Sequence, residues 1–176
     1  LRLVGPNCMG LQIPAMGIGT FDIKSLPVGP VSFVSQSGSH VSTLLRFGPV
    51  FGIGCSKLVS LGNSMGLDSI DFLEYLGNDH ETEIIALYLE GVQDGGRLMR
   101  LVREINQIKP VIVWKGGLTE SGAQAAYTHT ESLKGDRYVW EAFYRQTGAV
   151  QVHSIDELAD ILMTFLHLKP PIGNSA

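Results

Sequence analysis

The chain has little cysteine, no basic stripe and no long apolar run. Its 176 residues include two cysteines, Cys8 and Cys55, which are too few for a disulfide framework or a metal site. We therefore expect a reducing, cytoplasmic location. The net charge of -4 at pH 7 argues against nucleic acid as a partner. Since no apolar run could span a bilayer and no signal-peptide pattern is present, we also expect no membrane partner.

The composition suits one globular domain. Hydrophobic residues make up 44% of the chain, enough for an open sheet covered on both faces. The ends are rich in glycine and proline, so residues 1–29 are predicted to be a connector and residues 169–176 a C-terminal tail or linker. Residues 30–168 remain as the domain. The first residue is Leu1 rather than Met, and we expect the chain to be a fragment of a larger protein.

Short apolar strands alternate with amphipathic helices along the domain. Five strands are predicted, at residues 31–35, 53–61, 84–89, 110–114 and 149–152. Alternation of this kind indicates a parallel sheet between two helical layers. We expect an α/β, flavodoxin-like, three-layer fold with a five-stranded parallel sheet in the order 2-1-3-4-5.

That strand order predicts where chemistry collects. The order reverses between strands one and three, and ligands bind beyond the carboxyl ends of strands at such a switch point. The loops expected to meet there are residues 35–39, Glu90-Gly91 and the segment from Lys115 onward. His129 follows the last of these loops in a short polar run. Neutral imidazole is nucleophilic near pH 7, so His129 is a candidate catalytic residue, although a lone loop histidine is more often structural.

Two further features are candidates for the same site. Ser37-Gly38-Ser39 opens a helix, where free backbone N–H groups and the helix dipole bind anions such as phosphate. An ordinary serine N-cap is the alternative. Glu90 ends an apolar strand, and its carboxylate could orient the ring of His129, or it could simply be solvated. Lys115 and the glycines after it are weaker candidates, since a lysine at a strand end is usually solvated.

The other four histidines have no comparable setting, and we expect them to have no role in chemistry. They are His40, His80, His153 and His167.

Six motifs follow one another along nearly the whole chain. They are Gly5-Pro6-Asn7-Cys8-Met9-Gly10, Ser35-Gln36-Ser37-Gly38, Ser60-Leu61-Gly62-Asn63, Leu87-Tyr88-Leu89-Glu90-Gly91, Lys109-Pro110-Val111 and Ala125-Ala126-Tyr127-Thr128-His129-Thr130. Together they resemble the flavodoxin-like ligase domain of the NDP-forming acyl-CoA synthetase family, which is related to the α subunit of succinyl-CoA synthetase.

The resemblance implies a ligase that acts through a phosphohistidine, which relays phosphate between an acyl phosphate and ADP or GDP. It assigns the phosphorylated position to His129, the supporting carboxylate to Glu90 and substrate binding to Asn63. Phosphate binding falls to Ser37, Gly38 and, next in the turn, Ser39.

The resemblance also implies missing parts. Residues 1–29 would connect to a CoA-binding Rossmann domain, and an ATP-grasp domain would lie on the same chain or on a second subunit. CoA and ATP or ADP with Mg would then serve the complete enzyme, and the fragment alone would bind no cofactor and be inactive.

One departure from the family pattern keeps the first of two alternatives open. Glu131 stands two residues after His129, where the relatives usually have glycine, and its carboxylate would repel a phosphate. The chain could therefore be a catalytically degenerate, regulatory module like those of some protein acetyltransferases. The second alternative is a flavodoxin, because a loop of serine and glycine after strand one can also hold the phosphate of FMN. The lack of well-placed aromatic residues in the loops disfavours it.

Overall fold

A computed structural model describes residues 2–20, 26–117 and 137–168. Twelve elements of regular structure and one 3-10 turn, Pro14–Met16, follow one another along these residues. The strands are β1 (Gly10–Ile13), β2 (Ile18–Gly19), β3 (Val28–Ser35), β4 (Cys55–Ser60), β5 (Ile84–Leu89), β6 (Val111–Lys115) and β7 (Val150–Val152). The helices are α1 (Gly38–Phe47), α2 (Ser69–Asn78), α3 (Gly95–Ile105), α4 (Arg137–Thr147) and α5 (Ile155–His167).

The strands form one seven-stranded, mixed sheet in the order β2-β1-β4-β3-β5-β6-β7. Strands β4, β3, β5, β6 and β7 are parallel, whereas β1 pairs antiparallel with both β2 and β4. The α/β, flavodoxin-like architecture is confirmed, but the predicted sheet of five parallel strands is wrong in strand number and in being wholly parallel.

The extra strands come from the segment that was predicted to be a connector. In β1, Leu11 pairs with Val59 and packs against the core beneath α2. The four residues of β1 carry too short a pattern to indicate a strand on their own. Their pairing partner is the free edge of β4, which would otherwise present a row of unpaired backbone groups. The strand therefore depends on a neighbour that lies 46 to 50 residues further along the chain, which local periodicity does not report.

The core lies on both faces of the sheet. Helices α2, α3 and α4 cover one face, where Leu73, Leu98 and Trp140 pack against the strands. Helices α1 and α5 cover the other, through Leu44 and Leu162. In each helix the apolar residues recur at three- and four-residue spacing, which places them on one side. Because both faces are buried, the parallel strands are apolar over most of their length.

The segment before β1 lies along the loop that follows β4. We call residues 3–9 the N-terminal strap. Its backbone carbonyls accept hydrogen bonds from the amides of Asn63, Met65 and Leu67, at 3.0, 3.0 and 2.8 Å. The strap thus adds a wall beside the carboxyl ends of β3 and β4.

Among the described helices, none is both long and apolar enough to cross a membrane.

Candidate functional site

The loops predicted to meet at the switch point do lie together beyond the carboxyl ends of β3, β5 and β6. Gln36, the first residue after β3, connects the loop after β3 to the loop after β5. Its side-chain oxygen accepts hydrogen bonds from the backbone amides of Glu90 and Gly91, the latter at 3.1 Å, and its side-chain nitrogen donates to the carbonyl of Gly91 at 3.1 Å. The backbone amide of Gln36 donates to the carbonyl of Tyr88 at 3.2 Å.

The third loop reaches the same place through Lys115. Its Nζ donates to the carbonyl of Glu90 at 2.9 Å and also to that of Gly116. Lys115 is 7% exposed, so the expectation of a solvated lysine is wrong. Burial lowers the pKa of Lys115, and the negative charge of Glu90 opposes that shift only in part.

The start of α1 lacks the side-chain cap that α2, α3 and α5 have. Ser37 occupies the N-cap position, but its hydroxyl lies 2.8 Å from that of Ser39 and makes no cap bond to the helix backbone. By contrast α2, α3 and α5 each begin with a side chain that accepts from a backbone amide of the first turn. The alternative that Ser37 is an ordinary N-cap, with its hydroxyl bonded to the helix backbone, is therefore not supported. The first turn of α1 also has no acidic residue.

Ser35 fixes the turn that leads into α1. Its hydroxyl accepts from the amide of Ser37 at 3.0 Å and donates to the carbonyl of Ser37 at 2.7 Å. After Ser37, Gly38 packs closely on the strap, since a Cβ there would lie 3.0 Å from Cγ of Met9 and would force that side chain to shift. The turn is therefore rigid and closely packed on one side. With no cap bond at its start, α1 presents the backbone N–H groups and positive dipole end that bind anions.

Glu90 is half-buried beside Tyr88. Burial, the charge of the Glu90 carboxylate and a hydrogen bond with that carboxylate together raise the pKa of Tyr88 to about 12. The Tyr88 hydroxyl is therefore protonated throughout the physiological pH range. Gly116 is needed here, because a Cβ at that position would lie 2.5 Å from the Tyr88 hydroxyl oxygen.

An aromatic cluster lines the α1 side of the site. The ring of His40 lies 4.3 Å from that of Tyr88 and 4.3 Å from that of Trp114, centroid to centroid. Tyr88 and Trp114 are themselves 4.9 Å apart at 81°, an edge-to-face contact. Burial lowers the pKa of His40, which favours the neutral ring. His40 thus packs against Tyr88, next to the Glu90 loop, a setting that the sequence did not indicate.

The remaining candidates fall in different places. Asn63 lies on the loop after β4, is exposed, and accepts a hydrogen bond from the side chain of Asn7 in the strap at 3.3 Å. No hydrogen bond joins the side chains of Asn63 and Glu90, both of which the structure describes. His129 and Glu131 lie outside the described residues.

Within residues 2–20, 26–117 and 137–168, no group of three or more His, Cys, Asp and Glu side chains is placed to hold a metal ion.

Gln36 and Tyr88 are the site residues that the sequence reasoning missed. Both lie within motifs quoted above: Gln36 directly precedes Ser37, and Tyr88 stands two residues before Glu90. A signal for Gln36 was present, since a long polar side chain directly follows an apolar strand at the switch point. No comparable signal marked Tyr88, because alternate residues of a strand buried on both faces look alike in sequence.

Comparison with known proteins gives one consistent family. A family model described as a succinyl-CoA ligase-like flavodoxin domain matches residues 28–165. The acetate–CoA ligase [ADP-forming] I of Archaeoglobus fulgidus is 41% identical over 100% of this chain. The α subunit of acetate–CoA ligase [ADP-forming] I of Pyrococcus furiosus is 37% identical over 99% of it.

Solved structures agree with these relatives. The dinucleotide-forming acetyl-coenzyme A synthetase 1 of Ca. Korarchaeum cryptofilum, in complex with phosphate and ADP, superposes with a TM-score of 0.85 at 34% identity over 92% of this chain. The chain spans 36% of that protein, 26% of the Archaeoglobus ligase and 38% of the Pyrococcus subunit.

Proposed function

Because this chain belongs to the family of succinyl-CoA ligase-like flavodoxin domains, we propose that it is the phosphoryl-relay domain of an NDP-forming acyl-CoA synthetase. The single observation that carries the proposal is the placement of an uncapped helix N-terminus, at Ser37 and Gly38, beside Glu90 at the switch point of the sheet. An anion site and a carboxylate side by side suit a histidine that carries a phosphoryl group.

The proposed chemistry passes one phosphoryl group through His129. Inorganic phosphate attacks the thioester of an acyl-CoA, which releases CoA and leaves an acyl phosphate. A ring nitrogen of His129 then takes the phosphoryl group, and the carboxylic acid leaves. ADP or GDP finally takes the phosphoryl group from His129 to give the triphosphate. Each step is reversible, so the reverse sequence forms acyl-CoA from the acid, CoA and a nucleoside triphosphate.

The start of α1 would hold the phosphoryl group. Backbone amides of Gly38 and Ser39 and the hydroxyls of Ser37 and Ser39 supply donors, and the positive end of the helix dipole favours negative charge. Two hydroxyls that now bond to each other, 2.8 Å apart, would turn toward the anion at small cost. We assign Asn63, on the next loop, to the acid substrate.

Glu90 would support His129. A carboxylate that accepts from one ring nitrogen fixes the tautomer, directs the other nitrogen at phosphorus and stabilises the positive charge of the phosphorylated ring. The hydrogen bonds of Gln36 and Lys115 with the backbone keep Glu90 in place for this role.

Other domains would supply the rest of the reaction. We assign CoA to a Rossmann domain and the nucleotide, with Mg, to an ATP-grasp domain, either on the same chain or on a second subunit. The short share of the relatives' length that the chain spans supports this division.

The test uses the complete parent enzyme with radiolabelled phosphate and acetyl-CoA as probes. We expect wild type to gain acid-labile, base-stable phosphate and His129→Ala to gain none. Glu90→Gln should slow phosphorylation about tenfold, which corresponds to ~1.4 kcal/mol of transition-state support. His167→Ala, at an exposed histidine near the end of α5, is the matched control and should behave as wild type.

Two outcomes would reject the relay. Phosphate that persists on His129→Ala, or that maps to another residue, would contradict the role of His129. A wild-type enzyme that takes up no phosphate would favour the regulatory alternative instead. In that case Glu131→Gly is informative, since restored phosphorylation would identify the Glu131 carboxylate as the cause of the loss.

A further inference from the structure

The side chain of Gln36 makes three hydrogen bonds across the switch point, to the backbone of Glu90 and Gly91. β3 and β5 pair in register up to Ser35 and Tyr88, where the ladder ends. Beyond that point the Gln36 side chain takes over the bonding, with one oxygen that accepts from two consecutive amides and one nitrogen that donates to a carbonyl. The side-chain amide of Gln36 thus continues the hydrogen bonding between the β3 and β5 segments beyond the last backbone pair.

These contacts fix the backbone of Glu90 on both sides. The amide of Glu90 donates to Gln36, and the carbonyl of Glu90 accepts from Lys115 Nζ at 2.9 Å. A residue whose amide and carbonyl are both held has a fixed Cα–Cβ direction. Only side-chain rotation then remains, and it takes place beside Tyr88, whose pKa is raised by burial and by the charge of the Glu90 carboxylate.

The same side chain belongs to the turn that begins α1. Gln36 directly precedes Ser37, whose amide and carbonyl are both bonded to the Ser35 hydroxyl. The segment from Ser35 to Ser37 has little freedom, so a displacement of Gln36 would move either the turn or the Glu90 loop relative to the other. Hydrogen bonds from a neutral amide hold the two loops together without placing a charge beside an anion site.

We propose that Gln36 is a positioning residue that holds the Glu90 carboxylate at a fixed distance from the first turn of α1. Both groups are then correctly placed for phosphoryl transfer. The inference rests on the proposed function, because it gives Gln36 an effect on phosphorylation only through Glu90. It predicts a distinct energetic signature, since removing Gln36 should matter only while Glu90 is a carboxylate.

The experiment is a double-mutant cycle in the complete parent enzyme, with radiolabelled phosphate and acetyl-CoA as probes. The variants are Gln36→Met, Glu90→Gln and both together, and the readout is the single-turnover rate constant for phosphohistidine formation. Methionine keeps the length of the side chain and removes its hydrogen bonds. We expect Gln36→Met to slow wild type about tenfold and to slow Glu90→Gln less than about twofold.

The rate constant separates positioning from folding. Molecules that fail to fold lower the amplitude of a single turnover and leave its rate constant unchanged, so a purely structural role would reduce the amplitude alone. Gln107→Met, at an exposed glutamine after α3, is the matched control and should change neither quantity.

The outcomes distinguish a failure of the role proposed for Gln36 from a failure of the proposed function. If Glu90→Gln slows phosphorylation but the two substitutions multiply their losses, Gln36 acts independently of Glu90 and the inference is overturned while the relay stands. An unchanged rate constant in Gln36→Met would overturn it as well. If wild type forms no phosphohistidine, the proposed function fails and the inference fails with it. If Glu90→Gln has no effect, the supporting role of Glu90 and the inference that depends on it are overturned, while the relay through His129 stands.

Discussion

At the scale of single residues, Gly62 is the most constrained position beside the candidate site. Its φ is +56°, and a Cβ there would lie 2.2 Å from the carbonyl oxygen of Asn7 and 2.3 Å from that of Pro6. Both atoms belong to the backbone of the strap, which cannot move aside as a flexible side chain could. Gly62 therefore lets the strap lie against the loop that carries Asn63.

We predict that Gly62→Ala destabilises the fold much more than Gly52→Ala. Gly52 has a similar φ of +70° but nothing within 4 Å of its Cβ position, so alanine there costs only the left-handed backbone strain, ~1–2 kcal/mol. Gly62→Ala adds the collision with the strap, a further ~1–3 kcal/mol. Urea unfolding of both variants measures the difference. Equal losses would show that the strap does not contact this loop in solution.

Asp79 links the end of α2 to β4. Its carboxylate accepts from Lys57 Nζ at 2.6 Å and from the Thr82 hydroxyl at 2.5 Å. Burial alone would raise the pKa of Asp79, but the hydrogen bonds from Lys57 and Thr82 and the charge of Lys57 bring the pKa below its usual value of 3.8. Because the folded pKa is the lower one, the stabilisation is complete above the unfolded pKa and is lost as pH falls through the folded pKa.

Asp79→Asn should therefore lower the free energy of unfolding at pH 7 by ~1–3 kcal/mol and have a smaller effect below pH ~4. The measurement is urea unfolding at pH 7 and pH 3. Glu83→Gln, at an exposed carboxylate nearby, is the control and should change little at either pH. A loss for Asp79→Asn that stays constant with pH would rule out the charged form as the source of the stability.

At the scale of elements, α1 and α2 start in contrasting ways. The carboxylate of Asp68 accepts from the amides of Ile70 and Asp71, at 2.9 and 3.0 Å, and so caps α2. Ser37 at the start of α1 makes no such bond. A helix that keeps its first amides uncapped gives up stability and retains a place for an anion.

We expect Asp68→Ala to cost ~1 kcal/mol of stability and Ser37→Ala to cost less than ~0.5 kcal/mol. Thermal or urea unfolding of the two variants provides the comparison. Addition of phosphate should stabilise wild type more than Ser37→Ala if the start of α1 binds it. Comparable losses from the two substitutions would mean that Ser37 caps α1 in solution and leaves the anion site without support.

At the scale of the whole molecule, the chain spans 26% of the Archaeoglobus ligase and 38% of the Pyrococcus subunit. We predict that the purified chain forms no acyl-CoA from ATP, CoA and acetate, because the proposed CoA and nucleotide sites lie on other domains. Product analysis by chromatography provides the measurement, with the complete parent enzyme as the positive control. Turnover by the chain alone would refute the proposed division of labour.

The sequence by itself determined the alternation of elements and the site loops. The predicted strand 84–89 coincides with β5, and the other four predicted strands overlap β3, β4, β6 and β7. Ser37 and Glu90 were singled out because each follows an apolar strand, and the structure brings their loops together. Patterns of this kind are visible in sequence because burial of a strand or a helix face repeats along consecutive residues.

Only the tertiary structure decided which distant groups meet. The pairing of β1 with β4, the bonds from Gln36 to Glu90 and Gly91, and the burial of Lys115 each join segments that are far apart in the chain. Such contacts depend on the shape of the folded sheet rather than on neighbouring residues, so no local pattern records them. From the sequence alone, a polar side chain that faces water cannot be distinguished from one that completes a site.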